Sequence, residues 1–146
     1  MEGFELSIVI NQPIEEVFGF LTNLENDLKW RSEWVNAKNT SGGPLSVGAT
    51  FRLSSELLGR QIPTVYEVIG YEPNRIAAWK TVSGPLPLTF WRTFEHVEGG
   101  TRVTIRYEAE VRGFFKLIKP LVVSMGKRAL QGDFPKLKKL MEARAL

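Results

Sequence analysis

Arg92 lies in the segment Thr89-Phe90-Trp91-Arg92-Thr93-Phe94, whose alternation is that of a β-strand. Phe90, Arg92 and Phe94 then share one face, and Thr89, Trp91 and Thr93 the other. If the phenylalanines point inward, a guanidinium goes with them. A buried guanidinium requires a carboxylate, a ligand anion or water. Its planar fork suits bidentate contact with a ligand carboxylate or carbonyl. Two readings follow: an anchor for a ligand inside a pocket, or an ion pair with a nearby acid close to the sheet edge. The opposite register would put Trp91 inside and Arg92 in water. Tyr66 and Tyr107 offer phenolic donors to a ligand oxygen, or serve as core residues with their hydroxyls at a polar rim. Asp27 and Glu33 flank Trp30, where they would act at the mouth of such a pocket. Their spacing does not mark a carboxylate pair for acid–base work. His96 falls at a hairpin end, where exposure is expected rather than a role as general base.

Other chemistries are excluded by composition. The 146 residues contain no cysteine, so there is no disulfide framework, thiolate metal site or cysteine nucleophile. With one histidine, a multi-histidine metal site is excluded as well. There is no glycine-rich phosphate loop and no nucleophile elbow. No metal or cofactor is called for. The net charge is +3, much of it towards the C-terminus. Basic residues there suit the end of a helix dipole, and no aromatic residues interleave with them as a nucleic-acid surface would require. No apolar run is long enough to span a membrane, and the N-terminus lacks the pattern of a signal peptide. The expected compartment is the cytoplasm.

The elements that must position these residues are legible in the pattern. Phe4, Leu6, Ile8 and Ile10 alternate as a strand. Asn11-Gln12-Pro13 starts a helix, with Asn11 or Gln12 as cap, Glu15 and Glu16 at the positive dipole end, and Val17, Phe18 and Leu21 on the apolar face. A second short helix is expected over Leu24 to Trp30, capped by Asn23. Six strands follow, beginning with Trp34, Val35 and Ala37 and then covering 49–57, 63–71, 75–82, 88–97 and 101–111, with short turns between most of them. From about Phe114 to Leu146 the period becomes helical, and Val122, Met125, Leu130, Phe134, Leu137 and Met141 form an apolar stripe. A long helix ending a β-rich chain must bury that stripe against a sheet. A chain of this length fits one domain.

Alternation also sorts the strand faces. Phe51, Leu53 and Ser55 are expected inward, as are Tyr66 with Val68, Ile76 with Ala78, and Val103 and Ile105 with Tyr107. Trp30 and Trp34 flank the expected entrance between the second helix and the first loops, or seal that junction. Trp79 and Trp91 fall on outward faces of neighbouring strands, where they would form an apolar patch for a homodimer or another partner. Gly126, Gly132 and Pro135 interrupt the terminal helix, and the proline should bend it. Room for a ligand is therefore expected near Met125, Ala129 and Phe134.

Several local sequences, in order, resemble the START-like or helix-grip superfamily, in particular its branch of polyketide cyclase/dehydrase and lipid-transport proteins. They are the first strand with Gln12-Pro13-Ile14-Glu15-Glu16-Val17-Phe18, Trp30, and Gly43-Pro44 to Val47-Gly48-Ala49-Thr50-Phe51. The likeness continues through the stretch from Tyr66 to Ile76 and through Phe94-Glu95 with Gly99-Gly100-Thr101-Arg102-Val103-Thr104. The resemblance implies an α+β fold. A curved seven-stranded antiparallel sheet would wrap the C-terminal helix, with two short helices after the first strand.

It also implies an apolar cavity between sheet and helix that takes a hydrophobic or amphipathic small molecule. The residues expected to line it are Trp30, Trp34, Phe51, Leu53, Tyr66, Val68, Ala78, Phe90, Arg92, Tyr107, Met125, Ala129 and Phe134. A carrier or sensor without catalysis is the leading expectation. A cyclase/dehydratase that works by holding a reactive chain in shape is the second. A chaperone-activator-like module using the outer sheet face is the third.

Overall fold

The computed structural model describes residues 2–57, 59–84, 86–109 and 119–143. Strand β1 (Glu2–Ile10) leads into helix α1 (Ile14–Thr22) and a 3-10 helix (Leu24–Lys29). Strands β2 (Trp34–Asn39), β3 (Thr50–Leu57), β4 (Arg60–Glu72), β5 (Ile76–Ser83), β6 (Leu88–Val97) and β7 (Gly100–Ala109) follow. Helix α2 (Lys119–Glu142) ends the described chain. The expected helix start near Phe114, the end of the last strand at Val111 and the final residues to Leu146 lie outside the described residues.

The seven strands form one antiparallel sheet in the order β1-β7-β6-β5-β4-β3-β2. The meander β2 to β7 builds it strand by strand, and β1 closes onto β7 at the far edge. This is the helix-grip arrangement, a curved sheet holding the terminal helix. The turn between β6 and β7 is tight because Gly99 (φ 88°) and Gly100 (φ 143°) take backbone angles that side chains disfavour.

Antiparallel partners standing opposite one another share a face, and the register fixes which side is inside. Phe51 pairs with Tyr66, Val68 with Trp79, Trp79 with Phe90, Phe90 with Tyr107, and Tyr107 with Phe4. One continuous inward row results. It corrects the expected face of β5. Trp79 and Ala77 point inward, and Ala78 pairs with Trp91 on the outer face against Gly70. An irregularity between Val68 and Gly70 shifts the register there. Trp79 is therefore fully buried, not half of an exposed pair. Trp91 is half-buried, with the Arg106 guanidinium 5.2 Å from its ring centre.

The second short helix is 3-10 rather than α, and Asn23 caps it by accepting from the Glu25 N–H. For α1, the cap position belongs to Pro13, which offers no side-chain bond. Asn11 and Gln12 instead serve the far end of the chain. The Asn11 N–H donates to Glu142 (2.8 Å), and Gln12 Nε2 donates to the Met141 carbonyl (3.0 Å).

The C-terminal half of α2 is the part that packs. Leu130, Leu137 and Met141 are buried with α1, β1, Phe94, Val103 and Ile105. The helix runs as one element across Gly126, Gly132 and Pro135. Gly126 sits over β1, where an added Cβ would come within 3.1 Å of Phe4 Cε1.

Lys138 donates to both Glu142 (2.7 Å) and the Val9 carbonyl (2.6 Å), completing a latch between α2 and the end of β1. The Lys138 hydrogen bond and the Asn11 N–H hold the Glu142 carboxyl below the usual carboxylate range. A lowered native pKa means that its contribution is fully present above the ordinary pKa. It is lost as pH falls through the native value. Glu142→Gln should therefore lower the melting temperature at pH 7, and the difference from wild type should vanish in acid below the carboxylate range. Thermal unfolding at the two pH values checks it.

Candidate ligand cavity

A cavity of about 410 Å³ lies between the sheet and the N-terminal half of α2. It occupies one end of the strands. Trp34 on β2 stands opposite Ser55 on β3, and Ser55 stands opposite Ile62 on β4. Thr64 and Tyr66 continue the β4 wall, while Leu88 on β6 faces Ala109 on β7. Phe4 and Tyr107 form the β1–β7 side, and Val123, Met125, Gly126 and Ala129 close it from the helix. The wall is mainly apolar, with Arg31, Glu33 and the two tyrosines as its main polar groups.

Five of the expected lining residues meet here: Trp34, Tyr66, Tyr107, Met125 and Ala129. The others do not line this space. Phe51, Leu53, Val68 and Phe90 face inward as expected, but they fill a second core cluster with Trp79 and Leu24. Trp30 and Phe134 belong to the main core, their rings stacked at 6.3 Å with 23° between planes. Trp30 is sealed in, not placed at an entrance. Ala78 lies on the outer face.

Arg92 does point inward, and it is fully buried. Its fork is already occupied. Nη1 and Nη2 donate to the two Asp27 carboxylate oxygens at 3.0 and 2.7 Å, and Nη1 also donates to the Leu21 carbonyl at 2.8 Å. Burial opposes the Arg92 charge, but Asp27 outweighs it and holds the pKa above the ordinary value. Arg92 is thus a tie between β6 and the 3-10 helix, and Asp27 is its buried partner, not a group at a pocket mouth. His96 is exposed at the hairpin end, as expected.

The guanidinium at the cavity wall belongs instead to Arg31. Nη1 donates to the Tyr107 hydroxyl at 3.0 Å, and Nη2 pairs with Glu33. Nε lies 3.3 Å from Asp133 of α2, an ion-pair distance without hydrogen-bond alignment. Asp133 also accepts from the Ser32 N–H (3.2 Å) and hydroxyl (2.9 Å). Burial works against the Arg31 charge, and Tyr107, Glu33, Asp27 and Asp133 together overcome it. Arg31 follows a 3-10 turn and precedes a strand, so no periodicity marks it. Among the other wall residues, Ile62, Thr64, Leu88 and Ala109 continue the inward parity of Tyr66, Phe90 and Tyr107 towards the strand ends, so alternation also marks them.

Tyr66 is buried, and among the described residues its hydroxyl has no hydrogen-bond partner. Burial pushes its phenol well above the ordinary value, so it stays protonated and can donate. The rings of Tyr66 and Tyr107 flank Phe90, with centroids 5.3 and 5.1 Å from it. The described residues contain no group of three or more side chains that could hold a metal ion, and no helix long and apolar enough to cross a membrane.

A profile of the family described as polyketide cyclase/dehydrase and lipid transport matches residues 1–142. No curated protein matches the chain. Among solved structures, a Thermus thermophilus protein superposes with a TM-score of 0.79 at 16% identity, covering 97% of this chain and 98% of its own. The Zhui aromatase/cyclase from Streptomyces sp. R1128 superposes at 0.74 with 12% identity, covering 97% and 93%. A Nitrosomonas europaea protein gives 0.75 at 18% identity, covering 97% and 95%.

Removing one partner of a buried ion pair strands the other charge, at about 3–5 kcal/mol. Arg92→Ala and Asp27→Ala should each destabilise the protein on that scale in urea unfolding. The double change Arg92→Met with Asp27→Leu should cost markedly less than the two alanine changes summed.

Proposed function

The chain belongs to the polyketide cyclase/dehydrase and lipid-transport family, and from that premise we propose that it binds a hydrophobic or amphipathic small molecule as a carrier or sensor. The cavity is the observation that carries this reading. Its volume of about 410 Å³ lies within the range of about 300–1,000 Å³ typical of small-molecule sites. Its aromatic and aliphatic wall with few polar groups is the composition such sites have. Burial of apolar ligand surface supplies the affinity, and the tyrosine hydroxyls orient whatever polar atom the ligand carries.

A cyclase-like activity in the same cavity is the second reading. It is favoured by the likeness to an aromatase/cyclase and by two phenols set in an apolar enclosure. Such an enzyme would act mainly by confining a flexible chain. The partner-binding reading has less behind it, because the outer sheet face does not present Trp79.

Native mass spectrometry of protein purified from its own host should reveal a retained apolar molecule. At about a hundredfold excess over its dissociation constant, that molecule should raise the melting temperature by about 5–10 °C. Ala129→Trp, which fills the cavity from the helix side, should abolish both the retained mass and the shift while leaving a cooperative unfolding transition. A full shift in that variant would place binding elsewhere.

A further inference from the structure

We propose that the cavity selects uncharged ligands carrying a hydrogen-bond-accepting oxygen, and that Glu33 is the residue that turns anionic ligands away. The inference rests on the cavity being a ligand site.

The Arg31 guanidinium lies where a ligand carboxylate would seek a partner, yet it is already paired with Glu33 and lies 3.3 Å from Asp133. The other buried guanidinium, Arg92, is bound by Asp27. Two guanidiniums thus face three carboxylates. Lys136 reaches Asp133 at 3.5 Å, but its side chain is largely in water and its charge is screened there. An entering carboxylate would meet Glu33 at the cavity rim, where the like charges repel and water screens them only in part.

Donors, by contrast, are in surplus. The Tyr66 hydroxyl has no partner among the described residues. The Tyr107 oxygen accepts from Arg31, which leaves the Tyr107 proton to be donated. A ketone, ester or amide oxygen satisfies these donors without adding charge. The aromatic wall of Phe4, Trp34, Tyr66 and Tyr107 suits a flat ring system beside that oxygen.

Three ligands of one shape separate the terms: naphthalene, 2-acetylnaphthalene and 2-naphthoate, measured at pH 7 by displacement of the neutral dye Nile red. Wild-type protein should bind the ketone tightest and the naphthoate more weakly than the ketone by about tenfold or more. Glu33 is 43% exposed in its side chain, so Glu33→Gln removes the charge at the rim without emptying the core. In that variant the naphthoate should gain about tenfold while naphthalene is unchanged. Tyr66→Phe should bring the ketone down towards naphthalene.

Naphthoate binding wild type as tightly as the ketone would overturn the inference while leaving the cavity reading intact. An unchanged ketone-to-naphthoate ratio in Glu33→Gln would overturn it equally. If none of the three displaces the dye, naphthalene included, the cavity reading falls together with the inference.

Discussion

The bidentate pair between Arg92 and Asp27 is the interaction on which the rest of the inner structure hangs. A guanidinium buried without exposure in the middle of β6 is tolerable only because both carboxylate oxygens and a backbone carbonyl meet it. Meeting it requires the 3-10 helix to lie against the sheet. The Asp27 carbonyl then receives the N–H groups of Trp30 and Arg31 at 3.2 and 2.7 Å, which fixes the chain as it leaves that helix. Both guanidiniums come to rest over the Trp30 ring, 5.4 and 5.5 Å from its centre. Arg31 is delivered to the cavity wall in consequence, and Asp133 secures it from α2. Two buried charge clusters therefore act in series, the first positioning the loop and the second joining that loop to the helix.

This arrangement divides the space under the helix. At one end, α1, the C-terminal half of α2 and the ends of β1 and β7 are packed solid. At the other, α2 carries Ala129, Gly126, Met125 and Val123, and space remains between them and the sheet. Met125 is more than half exposed, unlike Leu137 and Met141 further along the same helix. The apolar stripe of α2 is thus continuous in sequence but not in role.

Much of this was legible in the sequence, and the failures have physical causes. Element order and the inward rows of β3, β4, β6 and β7 followed from alternation, because a half-buried strand must alternate. β5 misled because Ala77, Ala78 and Trp79 are all buried, which removes the contrast that alternation depends on, and a register shift beside it sets the true face. Alternation alone puts Arg92 inside, and burial of its charge demands a partner. Which partner it takes was hidden, since Asp27 lies 65 residues away and joins it only through folding. Arg31 left no trace in the pattern, being in a short irregular link. Inward parity tells which side chains enter the interior, but not which end of each strand is left unfilled.

The separation of a filled end from an open end has a consequence for how such chains diverge. Many of the residues that hold the fold together do not touch the cavity; the two sets meet at the loop bearing Arg31 and at Tyr66 and Tyr107, whose rings flank Phe90. Mutational drift in the second set can reshape the contents of the cavity while the first keeps the chain path. Chains sharing as little as 12% identity can then superpose over nearly their whole length. The architecture behaves as a socket whose housing is inherited and whose bore is open to change.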